Sequence, residues 1–315
     1  MPTIAIFPKL SAAQLERIRE AAPGWTLLYG DDLTDERAAE AEIVFGWRSG
    51  IERALLQPGS KVRWHQSWSA GMDHLDVDRF AERNVALTSA NGVHANAISE
   101  TIFAMMLAFT RNLHVYQRNQ AARTWHHGGL KLELHGKTIG IVGVGAIGKE
   151  TAKIAKAFDM TVLGVRRSGG AAEHVDEMYG LDALVDMLPR CDYVVNILPL
   201  TAETRHLFGA REFAAMKPTA FFVNVGRGAT VRTEALVEAL RDGRLAGAGL
   251  DVFEQEPLPA DHPLWGMENV FVTPHTAGST ERYHDRIMDI FVANLKDYVN
   301  GNPPSINRLG GGKTY

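Results

Sequence analysis

Cysteine is almost missing from this 315-residue chain: Cys191 stands alone, which excludes an intrachain disulfide and any zinc site built from a cysteine cluster. An excess of basic charge is missing too. With 33 Lys and Arg against 37 Asp and Glu the formal net charge is -4, the wrong sign for a phosphate backbone. No apolar run reaches the ~18 residues that a membrane span needs; the strongest begins at Ile102 and soon breaks off. Residues 1–8 carry no basic stretch ahead of an apolar one, so no targeting signal is read there. Internal repeats and biased tracts are absent as well. Near the C terminus, Gly312, Lys313 and Thr314 lack the earlier glycine of a phosphate loop, since Asn307 stands in its place, and a flexible end is expected. His126 and His127 beside Trp125 have no metal-ligand spacing, and no metal site is read. The absences leave a soluble, cytoplasmic protein that binds neither nucleic acid nor membrane.

What is present is an ordinary globular composition, 45% hydrophobic and 22% charged, in a chain long enough for about two domains. Residues 3–7, 25–29, 43–47, 62–66 and 85–88 read as strands. Residues 11–22 read as a helix with Ser11 as N-cap and Leu15, Ile18 and Ala22 at helical spacing. Strand–helix alternation predicts a parallel sheet with helices on its faces. A long apolar helix is expected over 97–113, followed by a polar, aromatic surface loop over 114–129 that is suited to embrace a second subunit. A second strand–helix series runs from 137 to about 274. A helix over 280–298 then returns to the first domain. The expected division is a discontinuous domain, 1–96 plus 283–315, around a second domain, 97–282.

The apolar strand 138–142 leads at once into Gly143, Gly145 and Gly148, and a helix face of Ile147, Thr151, Ile154 and Phe158 follows. Strand, glycine loop and helix in this order form a dinucleotide site. Gly143 permits the tight turn, Gly145 admits the pyrophosphate, and Gly148 allows close helix–strand packing. The phosphates then meet the free N–H groups and positive dipole of the helix N-terminus. After the next strand, 161–165, an NAD site usually carries an acid for the ribose 2′-hydroxyl. Here Arg166, Arg167 and Ser168 stand instead. Guanidinium groups and a hydroxyl suit a 2′-phosphate, so NADP(H) is the preferred cofactor and NAD(H) the second.

Three further segments follow apolar runs. Arg227 lies in a glycine-flanked turn, Asp251 and Glu256 follow the next run, and His275 follows another. Ligands of open α/β sheets bind at such strand ends. Arg227 is read as the cation that grips a carboxylate and polarises an adjacent carbonyl. His275 is the acid/base, since histidine titrates near neutrality, and Glu256 beside it favours the imidazolium.

In these motifs the chain resembles the D-isomer-specific 2-hydroxyacid dehydrogenase family, which includes phosphoglycerate, D-lactate and glyoxylate/hydroxypyruvate enzymes. The likeness covers nearly the whole chain. It implies two Rossmann-like, doubly wound parallel-sheet domains: a substrate domain first and a dinucleotide-binding domain second, with the active site in the cleft. Arg227, Glu256 and His275 fall on the family's catalytic triad. Gly143, Gly145, Ala146, Ile147 and Gly148 fall on its cofactor loop, and Leu198, Pro199 and Thr204 on its nicotinamide-side loop. Val225, Gly226 and Gly278 join the cofactor set, and Asp251 matches the acid that contacts the nicotinamide carboxamide. Ser69, Ala70, Gly71, Met72 and Asp73 resemble the loop whose N–H groups hold the substrate carboxylate, and Arg48 with Ser49 a further substrate position. Trp47, Trp68, Met72, Trp265 and Tyr283 are candidate cleft walls, with core packing the alternative for each. The resemblance also implies a homodimer, built through the cofactor domains.

The chain departs from the common pattern at Arg166, where many members have Asp, and at Thr276, where an apolar residue is usual. Its implied reaction is hydride transfer between NADP(H) and a small 2-keto or D-2-hydroxy acid such as glyoxylate or hydroxypyruvate, the substrate by analogy with NADP(H)-preferring members. A formate-type dehydrogenase would pair glutamine with the histidine, not Glu256. A phosphoglycerate- or D-lactate-type enzyme using NAD fits poorly with Arg166. A dinucleotide-sensing, corepressor-like binding protein is the alternative of another class, because fold alone does not decide function.

Overall fold

Short apolar runs and locally capped helices alternate through the first ninety residues. The computed structural model describes residues 1–72, 75–129 and 131–309. The chain opens with β1 (Thr3–Ile6), α1 (Ala12–Ala21), β2 (Thr26–Tyr29), α2 (Asp35–Glu40), β3 (Ile43–Phe45), α3 (Ile51–Leu55), β4 (Trp64–Gln66), α4 (Val77–Glu82) and β5 (Ala86–Thr88). Each strand is a residue or two shorter than its apolar run. At β3 the reason is Gly46, whose φ of +95° turns the chain away before Trp47. Asp73 and residues 310–315, with Gly312, Lys313 and Thr314, lie outside the described residues.

The middle of the chain forms α5 (Ala95–Thr110), α6 (Leu113–Ala121), β6 (Thr138–Val142), α7 (Ala146–Ala157), β7 (Thr161–Val165), β8 (Glu177–Tyr179), α8 (Leu184–Met187), β9 (Tyr193–Asn196), α9 (Ala210–Ala215), β10 (Phe221–Asn224), α10 (Thr233–Arg241), β11 (Gly247–Leu250) and β12 (Val270–Val272); α11 (Tyr283–Val299) and β13 (Arg308–Leu309) end the described chain. It divides into two compact units, Met1–Val93 with Thr280–Tyr315, and His94–Ser279.

In the first unit the strand order is β13-β5-β4-β3-β1-β2. All pairs are parallel except the edge, where Arg308 faces Thr88 antiparallel. Side chains alternate across the sheet as strand geometry requires: Ile4, Ile6, Ile43 and Phe45 enter one core, Ala5 and Val44 the other. α11 covers the first face with Ile287, Met288, Phe291 and Leu295, all fully buried. Phe291 stacks on Phe45 with centroids 4.0 Å apart. Each such side chain stabilises by about 2 kcal/mol, which fastens the returning segment to this unit.

In the second unit the order is β12-β11-β10-β9-β6-β7-β8, wholly parallel. Winding reverses between β6 and β9, the switch point of a doubly wound sheet. Both faces are buried: Ile139, Ile141, Val195 and Val223 on one, Val142, Val194, Phe222 and Ala248 on the other.

Two expectations change in this unit. The helix over 97–113 ends at Thr110, because Asn112 takes a left-handed φ of 56°, a conformation open to asparagine and incompatible with a continuing helix. The expected loop over 114–129 is then partly helix: α6 has no buried residue, so no apolar stripe announces it. On α7 the buried face is Gly148, Thr151, Ala152 and Ala155, with Ile147, Ile154 and Phe158 packed at its margin. Small residues prevail there because α5 crosses closely, and Ser99 Oγ lies 2.9 Å from Thr151 Oγ1. Among the described residues, no helix is long and apolar enough to cross a membrane.

Candidate active site

Parallel register brings the chemistry of the second unit to one edge. Val165, Val142, Asn196, Asn224, Leu250 and Val272 stand side by side across the sheet. The cofactor and catalytic segments singled out above leave the sheet just beyond that row: the glycine loop from β6, Arg166–Ser168 from β7, Leu198, Pro199 and Thr204 from β9, Val225–Arg227 from β10, Asp251 and Glu256 from β11, His275 and Gly278 from β12.

The glycine loop has the shape its residues demand. Gly143 turns with φ +110°, and a Cβ on Gly148 would lie 2.6 Å from the Gly143 carbonyl oxygen. Gly145 is the N-cap of α7 and supplies no side-chain cap, so Ala146, Ile147 and Gly148 begin the helix without one, the kind of N-terminus that favours anions. Nothing lies within 4 Å of a Cβ built on Gly145. Beyond β7, Arg166 Nε donates to Ser168 Oγ at 2.7 Å, which gathers a guanidinium and a hydroxyl at the position of the usual acid; Arg167 is exposed beside them. These residues fit a dinucleotide carrying a 2′-phosphate.

Beyond β9 the Thr204 hydroxyl is engaged within its own loop, donating to the Pro199 carbonyl at 2.7 Å. Leu198 N–H donates to the Asn196 side chain at 3.3 Å. The same Asn196 donates from Nδ2 to Asn224 Oδ1 at 3.0 Å and Thr230 Oγ1 at 2.7 Å. Asn224 Oδ1 also accepts the Gly226 N–H at 3.2 Å, and Thr230 Oγ1 donates to the Arg227 carbonyl at 2.6 Å. A buried polar network therefore fixes the backbone from Gly226 to Thr230, on which Arg227 is mounted.

Asp251 is 2% exposed, and both of its carboxylate oxygens accept hydrogen bonds. Oδ1 accepts from Thr273 Oγ1 at 2.6 Å and Thr276 N–H at 2.8 Å; Oδ2 accepts from Ala277 N–H at 3.0 Å. His275 N–H donates to the Asp251 carbonyl at 2.8 Å. This clasp holds His275 at φ +53°, a conformation that a non-glycine residue keeps only when its surroundings enforce it. His275 Nδ1 then meets Glu256 Oε2 at 2.7 Å, while Phe253 N–H donates to Glu256 Oε1 at 3.0 Å. Burial pushes the Glu256 carboxyl up. The hydrogen bonds from His275 and Phe253, with the charges of His275 and Arg227, outweigh it and hold the group below the ordinary carboxylate range. With Nδ1 turned to a carboxylate, Nε2 is the ring nitrogen left for a substrate.

Gly278 caps this edge, its carbonyl lying 2.9 Å from His94 Nδ1. The substrate candidates Arg48, Ala70, Gly71 and Met72 belong to the first unit. Arg48 Nε donates to Asp35 at 2.8 Å, and its guanidinium lies over the Phe7 ring. Met72 is buried in the apolar core, and Ala70 and Gly71 follow β4 half-exposed. Trp68 packs between Phe45 and Tyr283, whereas Trp265 is half-exposed and donates to the Pro259 carbonyl.

Sequence reasoning passed over Asn196, Asn224 and Thr273, polar residues at or next to strand ends, whose position just before the loops was the available signal, and Thr230, in the short turn after Arg227, which carried no such signal. It also passed over an ion pair between His206 and Glu254.

Comparison with known proteins places these features in context. Residues 103–277 match the sequence profile of the D-isomer specific 2-hydroxyacid dehydrogenase, NAD binding domain. Glyoxylate/hydroxypyruvate reductase B of Salmonella schwarzengrund (strain CVM19633) is 39% identical over 271 residues, 84% of this chain and 83% of that one. A solved structure of a D-isomer specific 2-hydroxyacid dehydrogenase family protein from Aeromonas salmonicida subsp. salmonicida A449 aligns with a TM-score of 0.83 at 37% identity, covering 98% of this chain and 99% of the other. The NADPH-dependent glyoxylate/hydroxypyruvate reductase of Sinorhizobium meliloti, solved with NADP and sulfate, aligns with a TM-score of 0.79 at 27% identity over 98% of each chain.

Proposed function

The chain belongs to the D-isomer-specific 2-hydroxyacid dehydrogenase family, and on that premise we propose that it reduces small 2-keto acids of the glyoxylate and hydroxypyruvate kind with NADP(H), admitting NAD(H) as second cofactor. The observation that carries the reading is the 2.7 Å hydrogen bond between His275 Nδ1 and Glu256, on the sheet edge that also bears Arg227 and an uncapped glycine-loop helix.

The residues of the chain divide the work. Gly143, Gly145, Ala146, Ile147 and Gly148 receive the pyrophosphate, and Arg166, Arg167 and Ser168 the 2′-phosphate. Leu198, Pro199, Thr204, Val225, Gly226, Asp251 and Gly278 surround the remainder. When bound, the reduced nicotinamide supplies a hydride to C2 of the acid. Arg227 binds the substrate carboxylate and polarises the carbonyl. His275, as imidazolium, gives the Nε2 proton to the oxygen that gains negative charge. Glu256 keeps the ring oriented, with Nε2 turned away from it. Arg48, Ala70, Gly71 and Met72 enter as substrate contacts through the family resemblance alone. The same reading takes the protein as a cytoplasmic homodimer whose 114–129 segment reaches a second subunit, supported by the fully exposed Trp125 and half-exposed Leu113.

The test is a turnover assay with NADPH or NADH against glyoxylate, hydroxypyruvate, pyruvate, phenylpyruvate and oxaloacetate. Loss of nicotinamide absorbance with a small 2-keto acid, faster with NADPH, is expected. Tight cofactor binding without turnover on any acid would overturn the reading in favour of a dinucleotide-sensing protein.

A further inference from the structure

Two acids of one turn each hold a histidine. Glu256 meets His275; two residues earlier, Glu254 Oε1 lies 2.6 Å from His206 Nε2. The other Glu254 oxygen accepts the N–H of Thr233, the first residue of α10, at 2.6 Å. Burial pushes the Glu254 carboxyl up, but hydrogen bonds from Thr233 and His206 and the His206 charge outweigh it and keep it below the ordinary carboxylate range. Glu254 thus joins its own turn to the start of α10 and to the loop that follows β9.

His206 is anchored on its other side. Its N–H donates to the Ala229 carbonyl at 2.8 Å, and Phe208 N–H to the Thr230 carbonyl at 3.0 Å, so residues 206–208 run alongside the segment that follows Arg227. Its φ is +53°, like that of His275, and a non-glycine residue stays in that region only where neighbours over-determine it. The turn of Arg227 also lies directly on the turn of the two acids: a Cβ on Gly228 would fall 1.9 Å from the Phe253 carbonyl carbon. That contact blocks the acid-bearing turn from moving inward. On the other side Glu254 tethers it through both His206 and Thr233.

We propose that His206 and Glu254 are positioning residues that set the Glu256–His275 couple against Arg227. The inference rests on the reductase reading for its kinetic consequence, not for its geometry. Partly exposed ion pairs contribute little to folding stability, whereas small displacements of reacting groups lower rates steeply. The effect of breaking the pair should therefore fall on turnover.

The experiment compares His206→Leu, which has no donor, with His206→Gln, whose amide can still reach Glu254. Measured are kcat and KM with NADPH and the best 2-keto acid, NADPH affinity by fluorescence, the thermal midpoint, and the ring nitrogen signals of His275 in the ligand-free protein by NMR. His206→Leu is expected to lose about tenfold in kcat, with NADPH affinity and thermal midpoint nearly unchanged and the His275 signals shifted. His206→Gln is expected to restore most of the kcat and return the signals. Unchanged kcat and signals in His206→Leu, or a Gln variant as impaired as Leu, would overturn the proposal. If the wild type reduces no 2-keto acid, the reductase reading fails, and the His275 signals still judge the pairing.

Discussion

Two strand–loop–helix turns of this molecule share one design and end differently. β1 leads through residues 7–11 into α1, and β6 leads through residues 143–145 into α7. At α1, Ser11 accepts the Gln14 N–H at 3.3 Å and gives its own N–H to the Gln14 side chain at 2.9 Å. That reciprocal cap satisfies the helix end from within. At α7 the N-cap is Gly145, which has no side chain to offer. One helix end is closed by its own chain, and the other stays open to an anion from outside. The sheets behind them are both mostly parallel, doubly wound and buried on two faces. The difference between a scaffold and a binding site lies in a few loop residues, not in the core.

The largest expected effect separates this open end from the chemistry beside it. His275→Ala should lower kcat by about a thousandfold while NADPH affinity stays near wild type; turnover close to normal would remove His275 from the reaction. Next comes closure of the open end. Gly145→Asp places an accepting, negative N-cap where the phosphates would sit, with room for its Cβ. Weakening of NADPH binding by about a hundredfold is expected, with no loss of thermal stability. Its mirror is Ser11→Ala, which should lower stability by about 1 kcal/mol and leave NADPH binding alone. Equal effects of the two on NADPH titrations would erase the contrast between the helix ends.

A smaller effect concerns cofactor choice. Arg166→Asp should move the ratio of NADPH to NADH efficiency by about tenfold or more toward NADH; a constant ratio would place the 2′-phosphate elsewhere. The smallest is read against pH. The Glu256 carboxyl is held below its ordinary value by His275, Phe253 and Arg227 against the opposing effect of burial. A lowered native pKa contributes stability that is present above the unfolded value and lost as pH falls through the native one. The thermal midpoint of wild type should therefore exceed that of Glu256→Gln at neutral pH, and the gap should close in acid below the ordinary carboxylate range. A gap independent of pH would detach Glu256 from its ionised pairing with His275.

The fold was legible where one principle acts along the chain. Ser11, Leu15 and Ile18 announce α1, and apolar residues flanked by turns announce the strands. It was illegible where no such signal exists. α6 buries no residue, and the end of α5 at Thr110 depends on one asparagine turning left-handed. The antiparallel edge strand β13 is two residues long, too short to carry any periodicity. At the site, the glycine loop and the positions of Arg227, Glu256 and His275 could be singled out from spacing and resemblance. The clasp of Asp251 on Thr273, Thr276 and Ala277 could not, since it joins the ends of two separate strands.

Sequence by itself determined what local chemistry determines: glycines for a tight turn, arginines in place of an acid after β7, and a histidine and glutamate nineteen positions apart. These depend on backbone freedom, charge and hydrogen-bonding capacity, which each residue carries wherever it goes. Tertiary structure alone decided which polar groups meet. Asn196 joins Asn224 and Thr230, and Glu254 joins His206 and Thr233, because parallel register sets β9, β10 and β11 side by side and so brings together the segments that follow them. Register is the outcome of packing two apolar faces at once, and no residue carries that information alone.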